Sequence, residues 1–143
     1  MQLSILIGTN RPSLLACSRI AQACSWAGPN VEVIVRDNSG DARKRALLSQ
    51  FHQDNCKIII AEPCDALTNA SEILKLAKGD FVFLLADDDF GFDHAVASLP
   101  GMIEQTGSDQ SVAGITGLYA VEFANRSAVV EYKNIDSDNV ELR

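Results

Sequence analysis

The chain has 143 residues, of which 47% are hydrophobic and 22% are charged, and this composition is typical of one globular domain with a hydrophobic core. Its formal net charge of −7 argues against a nucleic-acid partner, because proteins that bind phosphate backbones concentrate Lys and Arg on one face. No apolar run approaches the roughly 20 residues that cross a bilayer, and the start, Met1–Ser4, lacks the basic region of a signal peptide. We therefore expect a single domain over residues 1–143 without a transmembrane segment, in the cytoplasm or peripheral at the inner face of the membrane.

None of the four cysteines forms the C-x-x-C pair that metal ribbons and redox motifs require. These cysteines are Cys17, Cys24, Cys56 and Cys64. We expect them to be reduced and mostly buried, because proteins of a reducing compartment use cysteine as a small apolar residue.

Short apolar runs that are typical of buried strands alternate along the chain with segments in which apolar residues recur at helical spacing. The predicted order is strand Leu3–Ile7, helix Leu14–Trp26, strand Val31–Val35, helix Ala42–His52, strand Lys57–Ala61, helix Leu67–Ala77, strand Asp80–Leu85 and helix His94–Ile103. Strands that alternate with helices form parallel sheets. The sequence therefore predicts an α/β fold with a mostly parallel sheet.

Three further features refine this prediction. Ser13 is the predicted N-cap of the first helix. Asp80–Leu85 is apolar on both faces, which is typical of a central parallel strand. Further along the chain, Val112–Thr116 is a predicted fifth strand, and Val121–Phe123 with Ala128–Tyr132 is a predicted hairpin.

Polar residues collect where the predicted parallel strands end. Thr9–Arg11 follow the first strand, Asp37–Ser39 follow the second and Asp87–Asp89 follow the fourth. Open parallel sheets bind ligands beyond the carboxyl ends of their strands, where loops and helix N-termini present unpaired backbone N–H groups. We therefore expect these three loops to converge on one ligand-binding crevice.

The acidic triplet Asp87–Asp89 carries the most specific signal. Three adjacent carboxylates repel one another, which makes them a poor choice for stability alone. A hard divalent cation such as Mg²⁺ or Mn²⁺ removes this conflict, and it commonly binds through one or two carboxylates together with substrate phosphates. The triplet therefore predicts a metal-bound diphosphate substrate, and a solvated acidic turn or helix cap is the alternative.

Asp37 and Arg11 are weaker candidates for the same site. Asp37 begins the segment Asp37–Asp41, whose composition is equally typical of a plain turn. Its position directly after a strand favours a role in the ligand site. Arg11 precedes Pro12 in a loop, so its guanidinium either pairs with a phosphate or is simply solvated. The residues alone leave both alternatives open.

Taken together, three segments of the chain resemble the family 2 glycosyltransferases. Members of that family have Thr-x-Asn-Arg near the start, Asp-Asp/Asn-Gly/Ser after the second strand, and Ala-x-Gly-Asp/Glu-Tyr/Phe before an acidic triplet. The matching segments here are Ile7–Pro12, Val35–Ser39 and Leu76–Phe90. They occur in the family's order, within a match that runs from residue 3 to about residue 103.

The resemblance implies the nucleotide-binding half of a GT-A fold, a Rossmann-like α/β/α sandwich with a mostly parallel sheet. It also implies a nucleoside-diphosphate-sugar donor, with a UDP-sugar expected, and a carbohydrate or lipid-linked acceptor. The donor-binding residues that it implies are Thr9, Asn10, Arg11, Asp37, Asn69, Asp87 and Asp88. As a DxD motif, the triplet is implied to bind Mg²⁺ or Mn²⁺ through Asp87 and Asp89.

Two departures from the family pattern limit what the resemblance implies. The segment before the third helix, Asp65–Glu72, contains no Lys or Arg, although the family often contributes a basic residue there. Inverting members take their catalytic base from the segment after the fifth strand, where the only glutamates of this chain are Glu122 and Glu131. The catalytic base is therefore not identified, and the chain, which is shorter than most members, fits a donor-binding fragment.

These observations point first to one function and leave two alternatives. The first is metal-dependent, inverting transfer of a sugar to an acceptor hydroxyl, in the assembly of a polysaccharide. The second is a module that binds a nucleotide sugar without transferring it, because the base is missing and the chain is short. The third is a Mg²⁺-dependent phosphatase, which the sequence disfavours because Gly8–Asn10, and not a nucleophilic Asp, follow the first strand.

Overall fold

The computed structural model describes residues 3–89, 93–106, 119–123 and 126–130. Its contacts divide the chain into two units, Met1–Ser108 and Asp109–Arg143. The expectation of a single domain over residues 1–143 stays a prediction. No helix in the described ranges is long and apolar enough to cross a membrane.

The first unit is built on a four-stranded parallel sheet with helices between its strands. Its elements are β1 Leu3–Thr9, α1 Leu15–Cys24, β2 Val31–Asp37, α2 Ala42–Leu48, a 3-10 turn Ser49–Phe51, β3 Cys56–Ile60, α3 Ala66–Leu74, β4 Phe81–Leu84 and α4 Asp93–Thr106. The strand order is β3-β2-β1-β4, and every neighbouring pair runs parallel. The predicted alternation and the parallel α/β sheet are confirmed.

The two central strands, β1 and β2, are buried on both faces, as a parallel sheet covered by helices requires. On one face, Leu6 of β1 and Ile34 of β2 pack against Ile73 of α3. On the other face, Ile5 and Val33 are completely buried, and α1 contacts both strands. Burying one such side chain contributes about 1.5–3 kcal/mol, so this packing holds the carboxyl ends of β1 and β2 in place.

β4 lies at the edge of the described sheet, where it pairs with β1. Its side chains Val82 and Leu84 are 43% and 55% exposed. Within the described residues, the prediction of a central, doubly buried strand over Asp80–Leu85 is therefore wrong. An apolar run shows which side chains can be buried, whereas the position of a strand in a sheet depends on its pairing with distant segments.

Aspartates fix the starts of α2 and α3. Asp41 accepts a hydrogen bond from the backbone N–H of Lys44 at 2.8 Å, and Asp65 caps α3 in the same way. At the start of α1, Ser13 Oγ accepts a hydrogen bond from the backbone N–H of Leu15 at 3.3 Å, and Leu14 between them already has helical dihedral angles. The predicted contribution of Ser13 to the start of the first helix is therefore present, through a longer hydrogen bond than those made by Asp41 and Asp65.

All four cysteines are free thiols. Cys17, Cys24 and Cys56 are buried and Cys64 is partly buried, so the prediction of mostly buried thiols is confirmed. The thiols of Cys24 and Cys56 share a hydrogen bond, which together with burial raises the pKa of Cys24. A thiol with a raised pKa stays protonated and is a poor nucleophile.

The second unit contains a two-stranded antiparallel hairpin. Its strands are β5 Tyr119–Phe123 and β6 Arg126–Val130. Within the described residues, the predicted hairpin over Val121–Phe123 and Ala128–Tyr132 is confirmed, with strands that begin two residues earlier; residues 131 and 132 lie outside the described ranges. The predicted fifth strand Val112–Thr116 lies outside the described residues.

A buried polar network ties the turn before β4 to β1 and β2. Ser4 and Glu32 are neighbours on β1 and β2, and they are hydrogen-bonded to each other. The backbone N–H of Gly79 donates to Ser4 Oγ at 2.7 Å, and that of Lys78 donates to Glu32 Oε1 at 2.6 Å. A Cβ on Gly79 would lie 2.5 Å from the backbone nitrogen of Ser4. The turn therefore approaches β1 so closely that only glycine fits.

Gly79→Ala should lower the free energy of unfolding by at least about 1–3 kcal/mol, the usual cost of overpacking, because the nearest atoms belong to the backbone and cannot rotate away. Urea denaturation followed by circular dichroism measures the change. Gly101→Ala on α4 is the matched control, because nothing lies within 4 Å of its added Cβ. We expect the control to be neutral or stabilising by up to about 1 kcal/mol. Equal stability of Gly79→Ala and the wild type would contradict the close approach.

Candidate functional site

The carboxyl ends of β1, β2 and β4 meet at one edge of the sheet. Thr9 and Asp37 are the last residues of β1 and β2, and they lie side by side in the register. The backbone N–H of Asn38 donates to Thr9 O at 3.0 Å, and that of Leu85 donates to Leu6 O at 3.0 Å. These bonds continue the pairing of the strands into the loops after β2 and β4. Residues that are distant in sequence therefore share one crevice.

Four buried polar residues lie at this edge, and we refer to Thr9, Asp37, Lys44 and Asp87 as the buried layer. Thr9 donates its hydroxyl proton to Asp87 Oδ2, and Lys44 Nζ donates to Thr9 Oγ1. Lys44 Nζ also donates to Arg11 O at 2.7 Å and lies 3.3 Å from Asp37 Oδ1. None of the four residues is more than 6% exposed, so the charges are removed from water, with Asp37 paired to Lys44 and Asp87 hydrogen-bonded by Thr9.

Lys44 was not identified from the sequence. α2 begins after its cap Asp41, and this start turns Lys44 and Leu48, one helical turn apart, toward the interior, where both are completely buried. A signal was present in the sequence, because Lys44 shares a helix face with Leu48 directly after the acidic loop Asp37–Asp41. A lysine on the apolar face of a helix that follows a carboxylate is a candidate for a buried ion pair.

The loop after β2 adds further acceptors to the crevice. Asp37 accepts hydrogen bonds from the N–H and the hydroxyl of Ser39 at 3.3 and 3.1 Å. Asn38 Nδ2 donates to Cys64 O at 2.7 Å, which fixes the amide orientation because a carbonyl oxygen can only accept. Asn38 Oδ1 is then left buried with no hydrogen-bond partner among the described residues. An unpaired buried acceptor costs about 1–3 kcal/mol, so this position favours a ligand that donates an N–H or O–H.

An exposed ion pair accompanies the buried layer. Arg11 Nη1 donates to Asp88 Oδ2 at 2.7 Å, and Arg11 Nε lies 3.9 Å from Asp87 Oδ1. The hydrogen bond lowers the pKa of Asp88 and raises the pKa of Arg11. Arg11 and Asp88 are 58% and 55% exposed, and ion pairs this exposed contribute little to stability. A phosphate can therefore compete for the guanidinium at small cost.

Arg11, Asp87 and Asp88 also line an open cleft of about 130 Å³. Arg19 of α1 lines the same cleft, which places a second guanidinium near the acidic triplet that sequence analysis did not identify. Pockets for whole small-molecule ligands measure roughly 300–1,000 Å³. The cleft has room for part of a nucleotide, such as its phosphates, and not for all of it.

The three carboxylates of the acidic triplet separate in the structure. Asp87 turns inward to Thr9, Asp88 reaches Arg11, and Asp89 is exposed. In the part of the chain that the structure describes, no three His, Cys, Asp or Glu side chains group closely enough to hold a metal ion. Thr9 and Arg11 relieve the repulsion within the triplet, and the metal role of Asp87 and Asp89 stays a prediction.

Two further predicted donor-binding residues lie in different environments. Asn10 is exposed in the loop after β1. Asn69 is only 2% exposed, its Oδ1 accepts from the Arg36 guanidinium, and its Nδ2 donates to Arg36 O at 3.3 Å. A Cβ on Gly8 would lie 3.0 Å from Asn69 Nδ2. Asn69 thus joins α3 to β1 and β2, and Arg36 of β2 brings a guanidinium to the segment Asp65–Glu72, which has no basic residue of its own.

Solved structures that resemble this chain include three of S. aureus TarS. The structure of TarS 1–349 matches 82% of this chain over 39% of its own, with a TM-score of 0.63 and 19% identity. Its complex with UDP matches 75% of this chain over 33% of its own, with a TM-score of 0.62 and 20% identity. Its complex with UDP-GlcNAc matches 75% over 32%, with a TM-score of 0.60 and 19% identity. The chain shares the fold of TarS.

TarS is a family 2 glycosyltransferase of the GT-A fold, so the resemblance inferred from the sequence motifs is confirmed at the level of the fold. An identity of 19–20% establishes the fold alone. This chain spans between 32% and 39% of the length of these three TarS structures. No protein-family model and no curated protein sequence matches the chain.

Asp37→Ala should lower the free energy of unfolding by about 3–5 kcal/mol, because it leaves the buried Lys44 ammonium without its carboxylate. Asp37→Asn should cost less, since the amide oxygen can still accept from Lys44. Urea denaturation of both variants measures the difference. Glu62→Ala, which removes an exposed carboxylate from the loop after β3, is the matched control and should stay within about 0.5 kcal/mol of the wild type. If Asp37→Ala is as stable as this control, the buried ion pair is refuted.

Proposed function

We propose that the chain binds a nucleoside-diphosphate sugar, with UDP as the nucleotide, at the carboxyl ends of β1, β2 and β4. The observation that carries this proposal is the convergence of Thr9, Asp37 and Asp87 in one buried layer within a TarS-like fold. The TarS complexes contain UDP and UDP-GlcNAc, and open parallel sheets bind ligands at this edge. In the whole protein the sugar is transferred, with inversion, to a hydroxyl of a carbohydrate or lipid-linked acceptor, in the assembly of a polysaccharide.

The loop after β2 is the nucleoside end of the proposed site. Asp37 and Asn38 place acceptor oxygens there, and Asn38 Oδ1 has no partner among the described residues. A nucleobase presents N–H groups at its edge that such acceptors can receive. A buried acceptor discriminates strongly between ligands, because a ligand that lacks the donor leaves the acceptor unpaired.

The loops after β1 and β4 are the diphosphate end. The guanidinium of Arg11 is exposed and can exchange Asp88 for a phosphate. Four carboxylates, Asp37 and those of Asp87–Asp89, accompany three cationic side chains, Lys44, Arg11 and Arg19, so a net negative charge remains at this edge. Mg²⁺ or Mn²⁺ would be held by Asp87 and Asp89 together with diphosphate oxygens, since such ions need only one or two carboxylates. When bound, the ion would offset the charge that develops on the leaving diphosphate.

A donor-binding module is the second candidate for the chain as it stands. The candidate base Glu131 and the side chain of Glu122 lie outside the described residues, and the chain spans only about a third of the TarS structures. Donor binding needs the crevice alone, whereas transfer needs a positioned base and an acceptor site. We therefore propose that binding is a property of this chain and that transfer is a property of the longer enzyme.

The wild-type chain should bind UDP in Mn²⁺ with a Kd of roughly 0.1–1 mM, which corresponds to about 4–5.5 kcal/mol. Isothermal titration with UDP, and with ADP as the nucleotide control, measures this affinity. Asp89→Ala should remove the Mn²⁺-dependent part of the affinity and leave the fold intact, because it deletes a metal ligand and also reduces repulsion. Asp80→Ala, which removes an exposed carboxylate just before β4, is the matched control. If Asp89→Ala binds UDP in Mn²⁺ as tightly as the wild type, the role of Asp89 as a metal ligand is refuted.

Sugar transfer by the isolated chain should be absent or very slow, because a positioned base contributes about 10²- to 10⁴-fold to the rate. Incubation with UDP-GlcNAc and a panel of carbohydrate and lipid-linked acceptors, followed by mass spectrometry, measures transfer and donor hydrolysis separately. A longer chain that supplies the missing carboxylate should restore transfer. Robust turnover by the 143-residue chain would refute the fragment interpretation and return attention to Glu122 and Glu131.

A further inference from the structure

We propose that Lys44 is a positioning residue of the donor site, which holds Asp37, Thr9 and the Arg11 loop in the arrangement that receives the nucleotide. This inference rests on the proposed function. Lys44 does not itself contact the nucleotide in this proposal, because it is completely buried. It acts through the three groups to which its ammonium is bound.

The ammonium of Lys44 makes two hydrogen bonds and one ion pair with the site. An ammonium group has three N–H donors, and the three acceptors within reach are Thr9 Oγ1, Arg11 O at 2.7 Å and Asp37 Oδ1 at 3.3 Å. These acceptors come from the end of β1, the loop after β1 and the end of β2. One side chain of α2 therefore joins the nucleoside end and the diphosphate end of the proposed site.

The direction of the hydrogen bonds gives Lys44 control over Asp87. Lys44 can only donate, so Thr9 Oγ1 must accept from it, and the single hydroxyl proton of Thr9 is then directed to Asp87 Oδ2. The hydrogen bond from Thr9 holds the Asp87 carboxylate through Oδ2, and its other oxygen, Oδ1, lies 3.9 Å from Arg11 Nε. The orientation of Asp87 toward a diphosphate or a metal ion is thus set from inside the fold.

Stability alone is a weak explanation for Lys44. Removing an ammonium from water carries a large penalty, and buried ion pairs can often be replaced by apolar residues without loss of stability. An apolar residue at position 44 would still pack beside Leu48 on α2, but it would leave Asp37 and Asp87 without a neighbouring buried cation. The retained charge is explained if the carboxylates must stay ionised and fixed for ligand binding.

The test compares UDP binding by four variants with binding by the wild type, using NMR titration of the ¹⁵N-labelled chain at a temperature at which each variant gives a folded spectrum. Lys44→Met removes the ammonium and keeps a long side chain. Thr9→Val removes the link to Asp87 with little change in shape, and the double variant removes both. Arg43→Met, which removes an exposed charge one residue away on α2, is the matched control.

Lys44→Met should weaken UDP binding by about tenfold or more, and Thr9→Val should weaken it as well, because each breaks a hydrogen bond to a charged group. The double variant should be no weaker than Lys44→Met alone, since both changes cut the same link. Arg43→Met should bind like the wild type. A purely structural role for Lys44 would instead leave the affinity of the folded variant unchanged.

Folded Lys44→Met that binds UDP within about twofold of the wild type would overturn the inference while leaving the proposed function intact. Multiplying losses in the double variant would overturn the link through Thr9. If Lys44→Met does not fold, the affinity of Thr9→Val decides the link, because this variant keeps every charge. A wild-type chain that binds no UDP would overturn the proposed function, and this inference with it.

Discussion

Mutual repulsion of carboxylates at the end of a parallel sheet is the constraint on which the rest of this structure depends. Parallel strands bring their carboxyl ends to one edge, and here that edge collects Asp37 and the triplet Asp87–Asp89. The fold resolves the repulsion in two ways. In the interior, the Lys44 ammonium pairs with Asp37 and the Thr9 hydroxyl binds Asp87, and at the surface the Arg11 guanidinium pairs with Asp88. The interior contacts are shielded from water, whereas the Arg11–Asp88 pair is solvated and can exchange its partner for another ion.

The alternation of strands and helices could be predicted from the sequence because it depends on the spacing of apolar residues within each short segment. The ends of β1 and β2 could not, because Thr9 and Asp37 are polar residues that extend the strands only through their pairing and burial. The position of β4 at the edge of the described sheet was missed for a related reason, since strand order is a property of contacts between distant segments. Gly79 shows the same limit, because the backbone of β1, which is distant in sequence, leaves no room for a Cβ at this position.

The residues of the candidate site differ in the same way in whether the sequence could predict them. Thr9, Arg11, Asp37 and Asp87–Asp89 were found because each follows a strand, and the topology then places strand ends together. Lys44 was missed because a charged helix residue is ordinarily exposed, and only the structure shows that α2 turns it inward. Asn69 was predicted as a donor contact and lies in the interior, bound to Arg36. Its donor-binding role stays a prediction, as does the metal role of Asp89.

The buried layer and the exposed residues Arg11, Asp88 and Asp89 contribute differently to the proposed donor site. Every charge in the buried layer has its partner within residues 9–87, so the arrangement of Thr9, Asp37 and Asp87 does not depend on an acceptor-binding half. The exposed residues Arg11, Asp88 and Asp89, by contrast, are accessible to a phosphate or a divalent cation. In the proposed function, recognition of the nucleotide is therefore separable from preparation of the acceptor, because it rests on groups whose contacts lie within residues 9–87. Preparation of the acceptor would require a positioned base and an acceptor surface, and this chain spans about a third of the TarS structures.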